Sequence, residues 1–395
     1  MGQNIVFALF YGIGTENEAF AMKKERDSGI ELLRIFAILM VIGVHTFLYG
    51  SYYDCALDEG GMVAESAKYF RLYFRPAVNI FVIITGYFMA RSAFDLKKSY
   101  KRVFSTYLVI YFYSIVLSLL TLRLGPAYYT IDGEVTSVWE IVLSMFFPMF
   151  SQQWYFLTDY ILMCLLGPFV NIILQNITKK QFQWLLVLLT IILSIWMNIS
   201  SIEMVEDVFR NYGYEDIVEG KNLFSFLYVY MIGGYIGMHV EVKKRPKIRY
   251  LLGIFLFTWM NYMVLVKFGD LINYDDISKY YSNPFVVLSS VCALMFFKDL
   301  HFHSRIINMF ASTTIGIYAL HEFKFNRQWI WNVFNFEKYD CSNLGVNIAR
   351  IVVIMLLIFL VCSLIELVRQ QLFRGVGSLF GVKRKTQRML QEPTK

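Results

Sequence analysis

One stretch constrains this chain more than any other. Residues 26–50 read Arg-Asp-Ser-Gly-Ile-Glu-Leu-Leu-Arg-Ile-Phe-Ala-Ile-Leu-Met-Val-Ile-Gly-Val-His-Thr-Phe-Leu-Tyr-Gly. From Ile30 to Gly50 it is long and apolar enough to cross a bilayer, which takes about 20 residues. Yet it carries Glu31, Arg34 and His45. Ionisable side chains inside a span are expensive and by default mark function. Arg34 and His45 are eleven residues apart, which returns almost to the same helix face at about 100° per residue and separates them by roughly 16 Å along the axis. Glu31 lies one turn from Arg34 on the same stripe. The plain structural alternative is an Arg that snorkels to the headgroups and a His satisfied by a neighbouring helix.

The rest of the chain agrees with a membrane. Its 395 residues are 57% hydrophobic and 18% aromatic, too apolar for a soluble domain of this length. The net charge of +7 does not point to nucleic acid, because the basic residues sit in short clusters between apolar runs. Besides the first span, nine more are predicted at about 76–91, 103–123, 154–174, 182–199, 223–240, 250–267, 284–298, 306–324 and 346–368. With both termini in the cytoplasm, the inner segments hold 24 of the 37 lysines and arginines, as the positive-inside rule requires. The expected fold is therefore all-α: a polytopic membrane protein of about ten transmembrane helices.

Residues 1–21 read as an extension with translation starting at Met22, residues 22–370 as the transmembrane domain, and 371–395 as a basic cytoplasmic tail. Pro168 falls inside a span and predicts a kink. Trp139–Phe150 is apolar but short, so it is expected to be interfacial or re-entrant. Of five cysteines, Cys164, Cys292 and Cys362 fall in apolar runs and read as small buried hydrophobes. Cys55 and Cys341 fall in loops expected outside, where they are either bridged or free.

Further candidates for chemistry are few. Thr85-Gly86 in mid-span suits close helix packing. Arg75 enters the second span from outside. Lys97, Lys98, Lys101 and Arg102 form a basic patch that either anchors topology or binds phosphate. Trp154-Tyr155 opens the fourth span as an aromatic belt or a sugar platform, and Asp159 is an intramembrane carboxylate. His321 lies near the outer end of the ninth span, beside Glu322 and one turn after Tyr318. No span has metal-ligand spacing such as HxxxH, so no metal site is expected.

Arg34 followed by His45, the opening Gly-Ile-Glu-Leu-Leu-Arg-Ile, the run Asn79-Ile-Phe-Val-Ile-Ile-Thr-Gly-Tyr-Phe88, the basic loop after it, Trp154-Tyr155-Phe156 and Ile315-Gly-Ile-Tyr-Ala-Leu-His321 together resemble the membrane acyltransferase family 3 proteins. These are multi-pass bacterial enzymes that O-acylate cell-surface glycans. The resemblance covers roughly residues 26–370, the short form without an appended esterase-like domain. Glu31 stands where many members have Asp, and Thr85-Gly86-Tyr87 replaces the usual Ser-Gly-Phe. The family implies acyl-CoA, expected to be acetyl-CoA, as donor substrate, with no bound cofactor. It implies a glycan or lipid-linked sugar as acceptor and the bacterial plasma membrane as location. On that reading Arg34, oriented by Glu31 and joined by Lys98 and Arg102, holds the CoA phosphates. His45 acts as general base or takes the acyl group transiently, with His321 as its catalytic partner. Tyr318 lines the acceptor side, Asp159 offers a proton or hydroxyl contact, and Arg75, Trp154 and Tyr155 meet the glycan. The competing classes are a lipid-linked glycan flippase or transporter and an outer-face polysaccharide polymerase.

Overall fold

The computed structural model describes residues 27–126, 130–131, 134–151, 154–202, 219–269 and 274–379. The extension 1–21, the Met22 start and the last part of the basic tail lie outside them. The described chain is almost wholly helical. Its β-structure is a two-residue ladder pairing Thr130↔Val135 and Ile131↔Glu134.

The first span is α1 (Ser28–Leu48), capped where Asp27 Oδ1 accepts the Gly29 N–H at 3.0 Å. Two short helices follow, α2 (Tyr52–Glu59) and α3 (Gly61–Tyr73), and then α4 (Ala77–Met89). Next come α5 (Leu96–Leu124), capped by Asp95, the short α6 (Val138–Phe146), and α7 (Tyr155–Asn176), which contains Pro168. α8 (Lys179–Thr190) starts on a Thr178–Gln181 capping box and continues through a π-helical turn, Ile191–Trp196, into α9 (Met197–Ser200). The remainder is α10 (Leu223–His239), α11 (Ile248–Phe268), α12 (Tyr274–Lys279), α13 (Pro284–Phe297), α14 (Arg305–Ala311), α15 (Thr314–His321), α16 (Lys324–Val333) and α17 (Leu344–Leu379).

Each of the ten stretches expected to span is helical, but among the described residues eight helical stretches are long and apolar enough to cross a membrane, with α3–α4 (Gly61–Met89) and α12–α13 (Tyr274–Phe297) each taken as one. Two stretches account for the difference. α10 is one residue short of 18. The stretch 306–324 is broken between α14 and α15, and the break has a local cause. Ser312, Thr313 and Thr314 donate their hydroxyls to the carbonyls of Met309, Phe310 and Ala311. Such side chains compete with the backbone for helix hydrogen bonds. The segments expected as outer loops also differ, for 51–75 contains α2 and α3 and 325–345 contains α16. α3 buries Val63 and Ala67 in the main core, Leu72 on its other side among Tyr262, Leu265 and Ile277, and Ala64 as well. The short apolar stretch 139–150 is mostly α6, with Trp139, Leu143 and Phe146 exposed, as an interfacial helix requires.

Two contacts fix the helices around α1. α4 and α10 meet backbone to backbone: a Cβ at Gly86 would overlap the Tyr230 carbonyl oxygen, and one at Gly233 the Ile83 carbonyl. In lipid, where burying apolar surface does not drive helices together, such close approach supplies the attraction. At the α17 side, buried Glu366 accepts both Arg369 Nε and Nη2 at 2.7 Å and the Tyr113 hydroxyl at 2.5 Å. A Cβ at Gly316 of α15 would meet that carboxylate, so the network sets how closely α15 lies against α17. In the loops, Cys55 and Cys341 form a disulfide, and the Phe336 N–H donates to the Gly50 carbonyl at 2.8 Å. These links tie the loop after α1 to the segment before α17.

Gly86→Ala should therefore destabilise the bundle by about 1–3 kcal/mol, the usual cost of overpacking, although Ala favours helix. Gly375→Ala, where a Cβ has nothing within 4 Å, should leave thermal unfolding in detergent unchanged. Equal melting of both variants would show that the α4–α10 contact is slack.

Candidate active site

Glu31, Arg34, Ile38 and Val41 descend one stripe of α1 and all face a cavity of about 530 Å³. At one end Glu31 Oε1 accepts from Arg34 Nη1 at 2.8 Å. Glu31 is 6% exposed, and the Arg34 guanidinium lies 5.9 Å from the Phe88 ring centre. Arg102 of α5 joins the lining here. Lys98, one turn earlier, does not; its backbone N–H is bound by the Asp95 cap. Mid-cavity, the Thr85 hydroxyl donates to the Phe81 carbonyl at 2.9 Å, so its oxygen accepts from Tyr160 OH at 3.0 Å. Past this polar pair the walls are apolar up to Phe156 and Tyr318, whose rings meet edge-on at 5.3 Å.

His45 continues the same stripe but does not line the cavity. It sits in a second compartment behind Tyr318, whose ring touches that of His321 at 6.0 Å. Here His45 Nδ1 lies 3.1 Å from His321 Nε2 and 3.1 Å from Glu322 Oε2. His321 is fully buried. Its Nδ1 faces the Ile317 carbonyl at 2.6 Å. A carbonyl only accepts, so Nδ1 holds the proton and, in the neutral ring, Nε2 is a lone pair. His45 Nδ1 thus faces two acceptors and is the atom that carries a proton. Its Nε2 is left as the free base.

Glu322 is held in turn. Its Oε1 accepts from Arg327 Nη1 at 2.9 Å and from Tyr49 OH at 3.4 Å. The Arg327 guanidinium stacks 4.2 Å over the Tyr49 ring. Trp331, fully buried, closes on the His45 ring edge-on at 6.4 Å. The arrangement is a base, a carboxylate oriented by an arginine, and a neighbouring imidazole, enclosed by aromatic rings. The Ile317 carbonyl fixes the tautomer of His321, and the lone pair of His321 in turn fixes that of His45.

The sequence-predicted residues divide accordingly. The structure brings Glu31, Arg34 and Arg102 to one end of the cavity and Tyr318 to the other, with His45 and His321 in the second compartment. Arg75 stands within electrostatic reach of His45, and its buried Nε has no hydrogen-bond partner. Trp154 is 2% exposed and packed on Phe323, so its ring is no open platform for a sugar. The Tyr155 hydroxyl donates to that of Tyr281 at 3.1 Å. Lys98 and Asp159 belong to neither the cavity lining nor the histidine cluster. Sequence reasoning passed over Tyr49, Glu322, Arg327 and Trp331 as site residues. Glu322 was signalled by standing next to His321 and Tyr49 by lying one turn after His45 in the first span; Arg327 and Trp331 carry no local signal, because they come from a segment beyond the end of a span.

The chain is similar to an amino-acid racemase of Enterococcus faecalis, 34% identical over 139 residues. The match takes in 34% of this chain and 18% of that relative. No solved structure matches. The family model described as an acyltransferase domain matches residues 27–367, a range that takes in Arg34, His45, His321 and Glu322. The chain therefore belongs to acyltransferase family 3.

Proposed function

We propose that this protein moves an acyl group, acetyl in the first instance, from acyl-CoA to a hydroxyl of a cell-surface polysaccharide or lipid-linked glycan at the bacterial plasma membrane. The observation that supports this most is the pairing of the cavity with the histidine cluster. A guanidinium pair opens one end of the cavity, and the other end abuts the ring that touches His321. The Arg34–Arg102 end suits the phosphates of a CoA, which planar guanidinium forks bind well. The narrow apolar stretch, with one hydroxyl pair at mid-height, suits a pantetheine arm and its amides. The disulfide near the His45 end favours an oxidising compartment there, and the basic loops favour the cytoplasm at the other end. The donor then enters from inside and the acceptor from outside.

In the transfer, the acceptor hydroxyl oxygen attacks the thioester carbonyl carbon while His45 Nε2 takes the hydroxyl proton. The carbon–sulfur bond breaks, and the CoA thiolate recovers that proton from His45. His321 Nε2 accepts the His45 Nδ1–H, and the Glu322 carboxylate, 3.1 Å from Nδ1, offsets the positive charge that develops on the ring. Arg75 faces the acceptor side as an unpaired cation. Isotope-labelled acetyl-CoA supplied to inside-out vesicles should label an extractable glycan. His45→Ala should cut labelling by about 10²–10⁴-fold, the share a positioned base supplies, while the protein stays folded and inserted. Arg34→Lys should raise the KM for acyl-CoA, because a point charge does not replace a fork. An unlabelled glycan, with solute crossing the membrane instead, would favour a flippase.

The Phe156–Tyr318 wall must part for a thioester to meet His45. Tyr318→Ala should join the two compartments. Its signature is a several-fold rise in CoA thiol release without acceptor, together with acceptance of longer acyl chains. If thiol release and chain preference both match wild type, Tyr318 is not the barrier.

A further inference from the structure

We propose that His45 Nδ1, His321 Nε2 and Glu322 Oε2 form a zinc-class divalent-cation site, and that its occupation stops acyl transfer. Three donor atoms, one from α1 and two from the adjacent residues that end α15, converge within 4.8 Å of one another. Two of the separations, 3.1 Å each, approach the edge of about 3.3 Å that a tetrahedron with zinc–nitrogen and zinc–oxygen bonds near 2.0–2.1 Å requires. A modest turn of the Glu322 carboxylate toward His321 closes the third edge.

The donors are also prepared for the role. Glu322 Oε2 is buried and has no hydrogen-bond partner. Its other oxygen is anchored by Arg327 and Tyr49, so the unpaired oxygen is aimed at the histidines. His321 Nδ1–H is held by the Ile317 carbonyl, the outer contact that typically fixes the tautomer of a metal-binding histidine and leaves Nε2 free. Local spacing rules miss such a site, because its ligands come from opposite ends of the sequence.

The charges set the chemistry of the bound form. Arg327 and Arg75 both act on His45 from nearby and oppose a bare dication. The fourth ligand is therefore assigned to a small anion, hydroxide or chloride, which lowers the charge of the centre. When the ion binds Nδ1 of His45, the ring proton moves to Nε2. No proton is lost, but the lone pair that accepts the acceptor proton is gone. The inhibitory half of the proposal thus rests on the transfer reading, whereas binding does not.

The test uses the full chain purified in detergent, with zinc chloride as probe. Competition against a chromophoric chelator should give one zinc equivalent that His321→Ala and Glu322→Gln both lack, with the folding of each variant checked by gel filtration. X-ray absorption of the zinc-loaded wild type should show two imidazole nitrogens and a carboxylate oxygen, a readout that needs no variant. Labelled transfer should fall more than about tenfold with zinc, as loss of a general base demands, and return on chelation. A sulfur-rich shell, or equal zinc binding by wild type and folded variants, overturns the site. Loss of the equivalent with transfer undiminished by zinc overturns the inhibition alone. Zinc binding in a protein that never labels a glycan overturns the transfer reading and leaves the site standing.

Discussion

The bundle depends on keeping a small polar cluster satisfied inside an apolar wall. His45, His321 and Glu322 are side chains that a lipid-facing surface would not tolerate. They persist because three segments close around them: α1 brings His45 and Tyr49, α15 brings His321 and its C-terminal neighbour Glu322, and α16 brings Arg327 and Trp331. Within that group Glu322 Oε2 and the Trp331 ring N–H are buried without a hydrogen-bond partner, and Nε2 of His45 is left as a free base. Chemistry is to be expected at that base and at the Glu322 oxygen, because an unmet buried acceptor is costly and is retained only for a reason.

The frame around the cluster is rigid where it must be. α4 packs against α10 through Gly86 and Gly233, and Glu366 ties α17 to α5 while lying over Gly316 of α15. The disulfide Cys55–Cys341 and the Gly50–Phe336 hydrogen bond hold the segments beyond α1 together. Against this frame the break between α14 and α15 stands out. It lies beside the cavity, and Ser312 and Thr314 contribute to the lining. Non-helical backbone at membrane depth is tolerated where it borders a cavity rather than lipid. The Ser-Thr-Thr run thus does two things: it interrupts the helix and supplies polar groups near Arg102.

Much of this was legible in the sequence for physical reasons. Long apolar runs report helices directly, and the eleven-residue interval between Arg34 and His45 reports a shared face. Gly86 beside Thr85 reported close packing. What escaped was either non-local or disguised. The pairing of Glu322 with His45 joins two ends of the chain, and no periodicity encodes it. α2, α3 and α16 carry enough charge to read as loops, although α3 buries four of its residues. Trp154 reads as an interfacial platform from its place at a span entrance, yet the Phe323 ring covers it. The broken helix 306–324 has the composition of a span, and its interruption depends on three hydroxyls turning back to the backbone.

The most direct test of the account is a cryo-EM map of the full chain with a non-hydrolysable acetyl-CoA analogue bound. The account predicts phosphate density at Arg34 and Arg102, the pantetheine arm passing the Thr85–Tyr160 pair, and the acyl end displacing Tyr318 toward His45. Density for the analogue on any other surface, with the cavity between α1 and α7 unfilled, would contradict it.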